Sequence, residues 1–486
     1  MELLLRLFHE LNWLIQVGLF CYFLLLNASY FRMLWSAAKQ MKKRHRLLNL
    51  RSAMGRFYQE DIPVTLIAPA YNEEAVIVDS VRSMLALNYP EYEVIVVCDG
   101  PKDGTLDRLK ESFDLVPFST MCRQRIETQP VEVVFLSKMD ARLKVVLKKN
   151  GGKADALNVG INFSRYPLFC AVDTDSLIEP DALYKLAQPF ISDHSTVAAG
   201  GTIRLTNGSE FENGRLKRQG IPDNWPALFQ MVEYLRAFII GRQGLDEYNA
   251  MLIISGAFGM FNKEIVVEAG GYRAKSLGED MELIVRLHRF MQEAGRPYRI
   301  TQVPEAVCWT EAPESMKMLK SQRIRWHRGL HESLMLNRSL FINDTMFARQ
   351  KAPVTLSMYF FLFFEFVAPL IETFGYVYLL CAIFFGWIDW GVFSAMLILA
   401  VTVSLFVTAG AIFLDERYTG GYATNLRGLG KIMLAAVLEP FTFRLASLVW
   451  RVTALWRIAT NKQTNWDAIT RKGFNRAQSS STSSSA

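Results

Sequence analysis

From Leu11 to Trp35 the chain carries one formal charge, Arg32, and a helix of that length spans the hydrocarbon core of a bilayer. A secretory signal would have a shorter apolar region and a small-residue cleavage site, so this segment reads as a retained transmembrane helix. A second apolar run covers Val354 to Gly386, and a third, free of charge, covers Gly391 to Leu414. A fourth, Lys431 to Trp450, is broken by Glu439, Pro440 and Arg444, a pattern that fits a kinked span, a re-entrant hairpin or an interfacial helix. Between the first and second runs lie roughly three hundred residues of ordinary soluble composition, room for one α/β domain with its own core. The 51% hydrophobic content is thus segregated rather than spread evenly.

The stretch after the first helix, "KQMKKRHR" (Lys39 to Arg46), is strongly basic, whereas the short N-terminus carries only Arg6. By the positive-inside bias the large domain faces the cytosol, which places the chain in the cytoplasmic membrane as a multi-pass protein. The basic C-terminal stretch, with Arg457, Lys462, Arg471 and Lys472, also prefers the inside and favours a re-entrant fourth segment. Many of the cations behind the net charge of +7 lie beside membrane segments, so nucleic acid is not the favoured partner. Cys98, Cys122, Cys170 and Cys308 fall in the cytosolic part without metal-ligand spacing and are expected as free thiols. The expected division is a transmembrane helix over 1–38, a basic juxtamembrane linker over 39–60 and a catalytic domain over 61–312. Interfacial helices over 313–352, a membrane region of two to three spans plus a re-entrant segment over 353–457, and a cytosolic tail over 458–486, disordered from about 477, complete it.

In the soluble part, "PVTLIAPAYNEE" reads as a buried strand, a turn and a helix start, and "YEVIVVCDGPKDGT" repeats the pattern with a strand ending at Asp99. "VEVVFLS" followed by "NGGKADALNVGINFS" gives a third strand and helix, and "PLFCAVDTDS" a fourth strand ending at Asp173. Near-continuous apolar strands alternating with helices predict a mostly parallel sheet covered on both faces. Ligands in such sheets sit at the carboxyl ends of the strands, where Asp99, Asp173 and Asp175 fall. Two carboxylates one residue apart can hold a hard divalent cation from one side and leave its other positions to water and diphosphate oxygens. The bland alternative for such a pair is a loop or a helix cap.

"GED" (Gly278 to Asp280) opens an amphipathic helix, where acidic residues are favoured by the macrodipole; capping is therefore the simple reading of Glu279 and Asp280. The chemical reading gives Asp280 the proton of an attacking hydroxyl. In "SQRIRWHRGL" (Ser321 to Leu330), Gln322, Arg325 and Trp326 share one helical face, while Arg323 and His327 share another. A guanidinium can hold a diphosphate bidentately and an indole can stack on a sugar ring. The competing reading, a membrane anchor, applies above all to Arg323 and Arg328.

Taken in order, "PAYNEE", "CDGPKDGT", "GGKADALN", "VDTDS", "SGAFGMF", "GED" and "QRIRW" resemble the membrane-embedded family 2 glycosyltransferases, a group that includes cellulose, chitin, hyaluronan and poly-N-acetylglucosamine synthases. The resemblance covers roughly residues 60 to 475. It implies a GT-A-like α/β domain joined to transmembrane helices, and inverting transfer from a nucleotide-sugar, expected to be a UDP-sugar. By the same resemblance Tyr71, Glu73, Asp99 and Lys153 bind the nucleotide-sugar together with Asp173 and Arg325, and Asp173 and Asp175 ligate Mg2+ or Mn2+. Asp280 is the general base, Gln322 and Trp326 hold the acceptor end, and Ser255 and Gly256 contact the acceptor sugar. The chain departs from the group in three ways. Gly278 stands where many relatives have threonine. There is no recognisable cyclic-dinucleotide-binding domain after the last membrane segment, and three or four membrane segments are few for enclosing a wide polymer channel. The terminal "NWDAITRKGF" looks like the end of bacterial members.

Three functions compete on this reading: a processive polysaccharide synthase coupled to export, a single-addition transferase acting on a lipid carrier or glycolipid, and a non-catalytic scaffold or receptor. The expected partners are the nucleotide-sugar donor, a polysaccharide or lipid-linked acceptor and the bilayer. An export or regulatory subunit and a homo-oligomer are left open, as are the sugar and the linkage.

Overall fold

The computed structural model describes residues 2–53, 61–120, 122–212, 214–342, 352–422 and 426–462. The serine-rich tail and "NWDAITRKGF" lie outside the described residues, as do 54–60 of the expected linker.

A ten-stranded sheet forms the centre. Its strands are β1 (Val64–Ala70), β2 (Tyr92–Asp99), β3 (Leu115–Pro117), β4 (Val131–Ser137), β5 (Leu143–Lys148), β6 (Leu168–Val172), β7 (Ser176–Ile178), β8 (Thr196–Leu205), β11 (Phe258–Asn262) and β12 (Arg299–Thr310). Strands β9 (Glu210–Glu212) and β10 (Arg215–Arg218) make a separate charged hairpin. The spatial order is β3-β4-β5-β2-β1-β6-β11-β8-β12-β7. The strands β5, β2, β1 and β6 run parallel, and β2, β6 and β8 are buried along their whole length, as expected where helices cover both faces.

The sheet is more mixed than the strand and helix alternation predicts. "VEVVFLS" is not followed directly by its helix; it pairs antiparallel with "LKVVLK", and the Lys153–Phe163 helix follows that second strand. On the other side β11 is antiparallel to both β6 and β8, and β7 is antiparallel to β12. Apolar runs specify a buried strand equally well in either direction, and the direction is set by which partner the chain returns to.

The helix that begins the chain, Glu2–Ala53, has 52 residues. At ~1.5 Å per residue it is roughly 80 Å long, more than twice the ~30 Å that crossing a hydrocarbon core requires. The basic segment expected as a linker is part of this helix. Lys39 pairs with Glu247, Gln40 donates to Asp246 at 2.9 Å, and Arg44 meets Glu305 at 2.8 Å. The positive charge thus docks the helix on the sheet domain.

Two described helices are long and apolar enough to cross a membrane, Glu10–Leu48 and Phe393–Thr419. Two bent pairs bring the number to four if each is one span: Ala352–Phe366 with Ala368–Phe384, bent 41°, and Leu426–Phe441 with Phe443–Ala459, bent 45°. The first bend carries a π turn before Pro369 and the second a 3-10 turn containing Pro440, the ordinary causes of a kink. Glu365 and Glu439 sit at these two breaks and meet Arg451 at 3.5 Å and Arg236 at 3.0 Å.

Candidate active site

The carboxyl end of β6 runs directly into Asp173 and Asp175, so a fully buried strand delivers both acids to one edge of the sheet. Lys153, the first residue of the Lys153–Phe163 helix, reaches them. Its Nζ lies 2.5 Å from Asp173 Oδ1, 3.5 Å from Glu279 Oε1, and donates to the Gly256 carbonyl at 3.4 Å. Burial by itself would lower this ammonium's pKa, but Asp173 and Glu279 outweigh it and hold the pKa above the usual lysine value.

Asp280 approaches the same point from the start of the Glu279–Glu293 helix. Its Oδ2 accepts from the Gly256 amide at 3.1 Å and its Oδ1 from the Met281 amide at 2.8 Å. A β-carbon on Gly256 would stand 3.0 Å from Lys153 Nζ and 3.4 Å from Asp280 Cβ, so glycine is what lets the loop, the lysine and the acid converge. The N-cap residue, Gly278, has no side chain to cap with, and Asp280 answers one first-turn amide, that of Met281, while also reaching the Gly256 loop. Burial raises the Glu279 pKa, Lys153 opposes the rise, and Asp280 adds to it.

Gln322, Arg325 and Trp326 belong to the Met316–Leu336 helix, which packs beside the start of the Glu279–Glu293 helix. With Asp173, Asp175 and Asp280 they line one cavity of about 1690 Å³. Ser255, Gly256, Lys153 and Glu279 line it too. The same cavity continues past Tyr30 and Tyr22 to Gln16 and Tyr378, among the helices apolar enough to cross a membrane. Glu365 and Glu439, at the two breaks, line it as well.

Arg323 is not a lipid anchor. It is buried, pairs bidentately with Glu233 at 2.7 and 2.6 Å, and its guanidinium carbon stands 4.4 Å from the Trp326 ring centroid. The pair fixes the helix against the Trp225–Leu235 helix and supports the indole from behind.

Tyr71, Glu73 and Asp99 do not line this cavity. Tyr71 is exposed, and the Glu73 amide donates to Thr105 Oγ1 at 2.8 Å. Asp99 is buried and accepts from the Gly151 and Gly152 amides at 2.9 and 2.8 Å and from Asn150 Nδ2. It also pairs with Lys148, which is itself fully buried and reaches Asp155 at 2.7 Å. Gly152 has φ of +88°, open to glycine at little cost, and begins the turn that presents Lys153. Asp99 therefore holds the loop that carries Lys153. Lys148 escapes sequence reading because it looks like an ordinary strand-end lysine in a strand that already carries Lys144.

Among the described residues, no three His, Cys, Asp or Glu side chains come together to cage a metal ion. The donor set at Asp173 and Asp175 nevertheless suits a hard divalent cation whose remaining positions are filled by a ligand's oxygens. Asp173 already faces one positive charge, the Lys153 ammonium.

Residues 62–329 match the family described as "Glycosyltransferase like family 2", and the chain belongs to that family. Its α/β domain is GT-A-like, and additional apolar helices accompany it. Among curated proteins it is 30% identical over 277 residues to a poly-beta-1,6-N-acetyl-D-glucosamine synthase of Staphylococcus aureus, covering 56% of this chain and 55% of that one. The chain thus spans about half the length of these curated relatives. To the protein of the same name from Staphylococcus epidermidis it is 28% identical over 386 residues, 77% of this chain and 79% of that one. Among solved structures, a mannosyltransferase of Pyrobaculum calidifontis in complex with GDP-Man and Mn2+ is similar with a TM-score of 0.48 and 16% identity, covering 90% of this chain and all of that one.

Proposed function

We propose that the chain moves a sugar, with inversion, from a UDP-sugar of the N-acetylhexosamine class onto a growing polysaccharide at the membrane, processively and coupled to export. The observation that carries this reading is the single cavity that has Asp173, Asp175, Asp280 and Trp326 on its wall and continues between the apolar helices. The names of the curated relatives support the sugar class.

In the proposed reaction Asp280 takes the proton of an acceptor hydroxyl, whose oxygen attacks the anomeric carbon from the face opposite the diphosphate. The bond from that carbon to the diphosphate oxygen breaks, and the nucleoside diphosphate leaves with the electron pair. Arg325 holds the departing diphosphate, and Trp326, backed by Arg323, stacks on the acceptor sugar with Gln322, Ser255 and Gly256 beside it. Lys153, paired with Asp173, faces the nucleotide-sugar from the start of its helix. Tyr71, Glu73 and Asp99 serve the nucleotide end, Asp99 through the loop it holds. Mg2+ or Mn2+, held by Asp173 and Asp175, supplies Lewis-acid stabilisation of the diphosphate charge when bound.

The same reading takes 61–312 as the catalytic unit and 313–352 as the segment that joins it to the spans. It places the chain in the cytoplasmic membrane with the sheet domain in the cytosol, supported by the basic end of the first helix docking on that domain.

The test is to incubate the full chain in nanodiscs with a panel of UDP- and GDP-sugars and Mn2+, and to measure nucleotide release and product size. Release from a UDP-N-acetylhexosamine with a high-mass polymer is expected. A chloroform-soluble glycolipid would replace the polymer reading by single addition, and no nucleotide release from any donor would overturn catalysis.

A further inference from the structure

Arg242 lines the same cavity but belongs to none of the motifs. It closes the π-helical stretch Arg236–Arg242, which continues the Trp225–Leu235 helix. Such stretches re-aim the side chains that follow and occur often at functional sites. The guanidinium carbon stands 3.7 Å from the centroid of the Phe238 ring, which fixes where it points. Among the described residues Arg242 has no carboxylate within ion-pair distance, and its Nη1 is buried with no hydrogen-bond acceptor. Buried charges are ordinarily paired. Here burial pulls the guanidinium pKa down to about 10, and Asp280, followed by Tyr234, pulls the other way. Asp280 is itself committed to the Gly256 and Met281 amides. Among the described residues the guanidinium therefore makes no hydrogen bond or ion pair, its contact with the Phe238 ring aside, and it shares the cavity wall with Asp280.

Its position says which ligand it suits. The π stretch packs against the long first helix and the Trp390–Thr419 helix. Two residues on, Gly244 lies so close to the first helix that a β-carbon there would be 2.7 Å from Met33 Cα. Arg242 thus enters the cavity from a stretch packed on these two apolar helices, whereas Asp173 and Asp175 enter it from the end of β6.

We propose that Arg242 is an acceptor-binding residue: its guanidinium donates to oxygens of the terminal sugar of a neutral saccharide and keeps that sugar's hydroxyl, rather than water, at Asp280. This rests on the polysaccharide reading above. In both outcomes an oxygen–carbon bond forms at the anomeric centre, the bond to diphosphate breaks and a proton passes to Asp280; Arg242 decides whether the oxygen is the acceptor's.

The experiment uses the full chain in nanodiscs with UDP-N-acetylglucosamine labelled in the sugar and Mn2+, reading UDP released and sugar incorporated into polymer from the same tube. With R242A the UDP released per sugar incorporated is expected to rise about tenfold, while the donor KM stays within about twofold; R242K, which keeps a charge, should fall between. R242Q keeps a long stem and replaces R242A in the comparison if the alanine variant fails to fold. An unchanged ratio in R242A, R242Q and R242K, or a rise in donor KM matching the loss of incorporation, would overturn the assignment. Absence of UDP release by the wild-type chain would instead overturn the functional reading, and Arg242's role with it.

Discussion

Gly278 and Gly329 are in direct backbone contact: a β-carbon on Gly278 would stand 3.0 Å from Gly329 Cα, and one on Gly329 would stand 2.9 Å from Gly278 Cα. The contact clamps the start of the helix bearing Asp280 onto the helix bearing Gln322, Arg325 and Trp326. It also gives a physical reason why this chain has glycine where many relatives have threonine, since a threonine side chain would force the two backbones apart.

Restoring that threonine should therefore harm the enzyme rather than help it. Gly278→Thr is expected to cost ~1–3 kcal/mol of stability by overpacking. A shift of about 1 Å between base and acceptor site should lower nucleotide release on the order of a hundredfold. Thermal unfolding and turnover of the same preparation check both, and near-native values would show that the clamp is slack.

Asp280→Asn should remove the base with little change of shape, because an amide oxygen can still accept from the Gly256 amide. Turnover is expected to fall ~10²–10⁴-fold with nucleotide affinity unchanged. Near-native turnover in membranes would remove Asp280 from the role of base.

Two carboxylates without a third predict that metal and nucleotide bind together. Mn2+ followed by electron paramagnetic resonance should associate weakly with the chain alone and far more tightly once UDP is added, and Asp175→Asn should abolish the difference. Tight Mn2+ binding without nucleotide would contradict a site completed by the diphosphate.

His288 makes the fold acid-sensitive. Its Nε2 faces the Met251 carbonyl at 2.9 Å, which can only accept, so Nε2 carries the proton and Nδ1 accepts from the Tyr298 hydroxyl at 2.8 Å. Burial lowers its pKa from 6.5 to about 4. Because the folded pKa lies below the unfolded one, the unfolded chain takes up the proton first as pH falls. This group's contribution is complete above pH 6.5 and is lost toward pH 4, on the order of a few kcal/mol. Unfolding temperature measured across that window should fall, and His288→Gln should flatten the slope. An identical slope in the variant would assign the acid sensitivity to other groups.

The sequence determined the helices apolar enough to cross a membrane, the apolar strands and the acids at their ends, because hydrophobic period and strand-end carboxylates are local signals. It also placed Gln322, Arg325 and Trp326 on one face, since a helix fixes that spacing. Only the tertiary structure decided that "VEVVFLS" and "LKVVLK" pair antiparallel, that Arg323 answers Glu233 across 90 residues, and that the basic stretch after the first helix docks on Glu247 and Glu305. Arg242 and the buried Lys148 were equally invisible. A lone arginine or lysine has the same local signature on a surface as in a wall; what distinguishes them is burial and the partner the rest of the chain supplies or withholds, and neither is written in neighbouring residues.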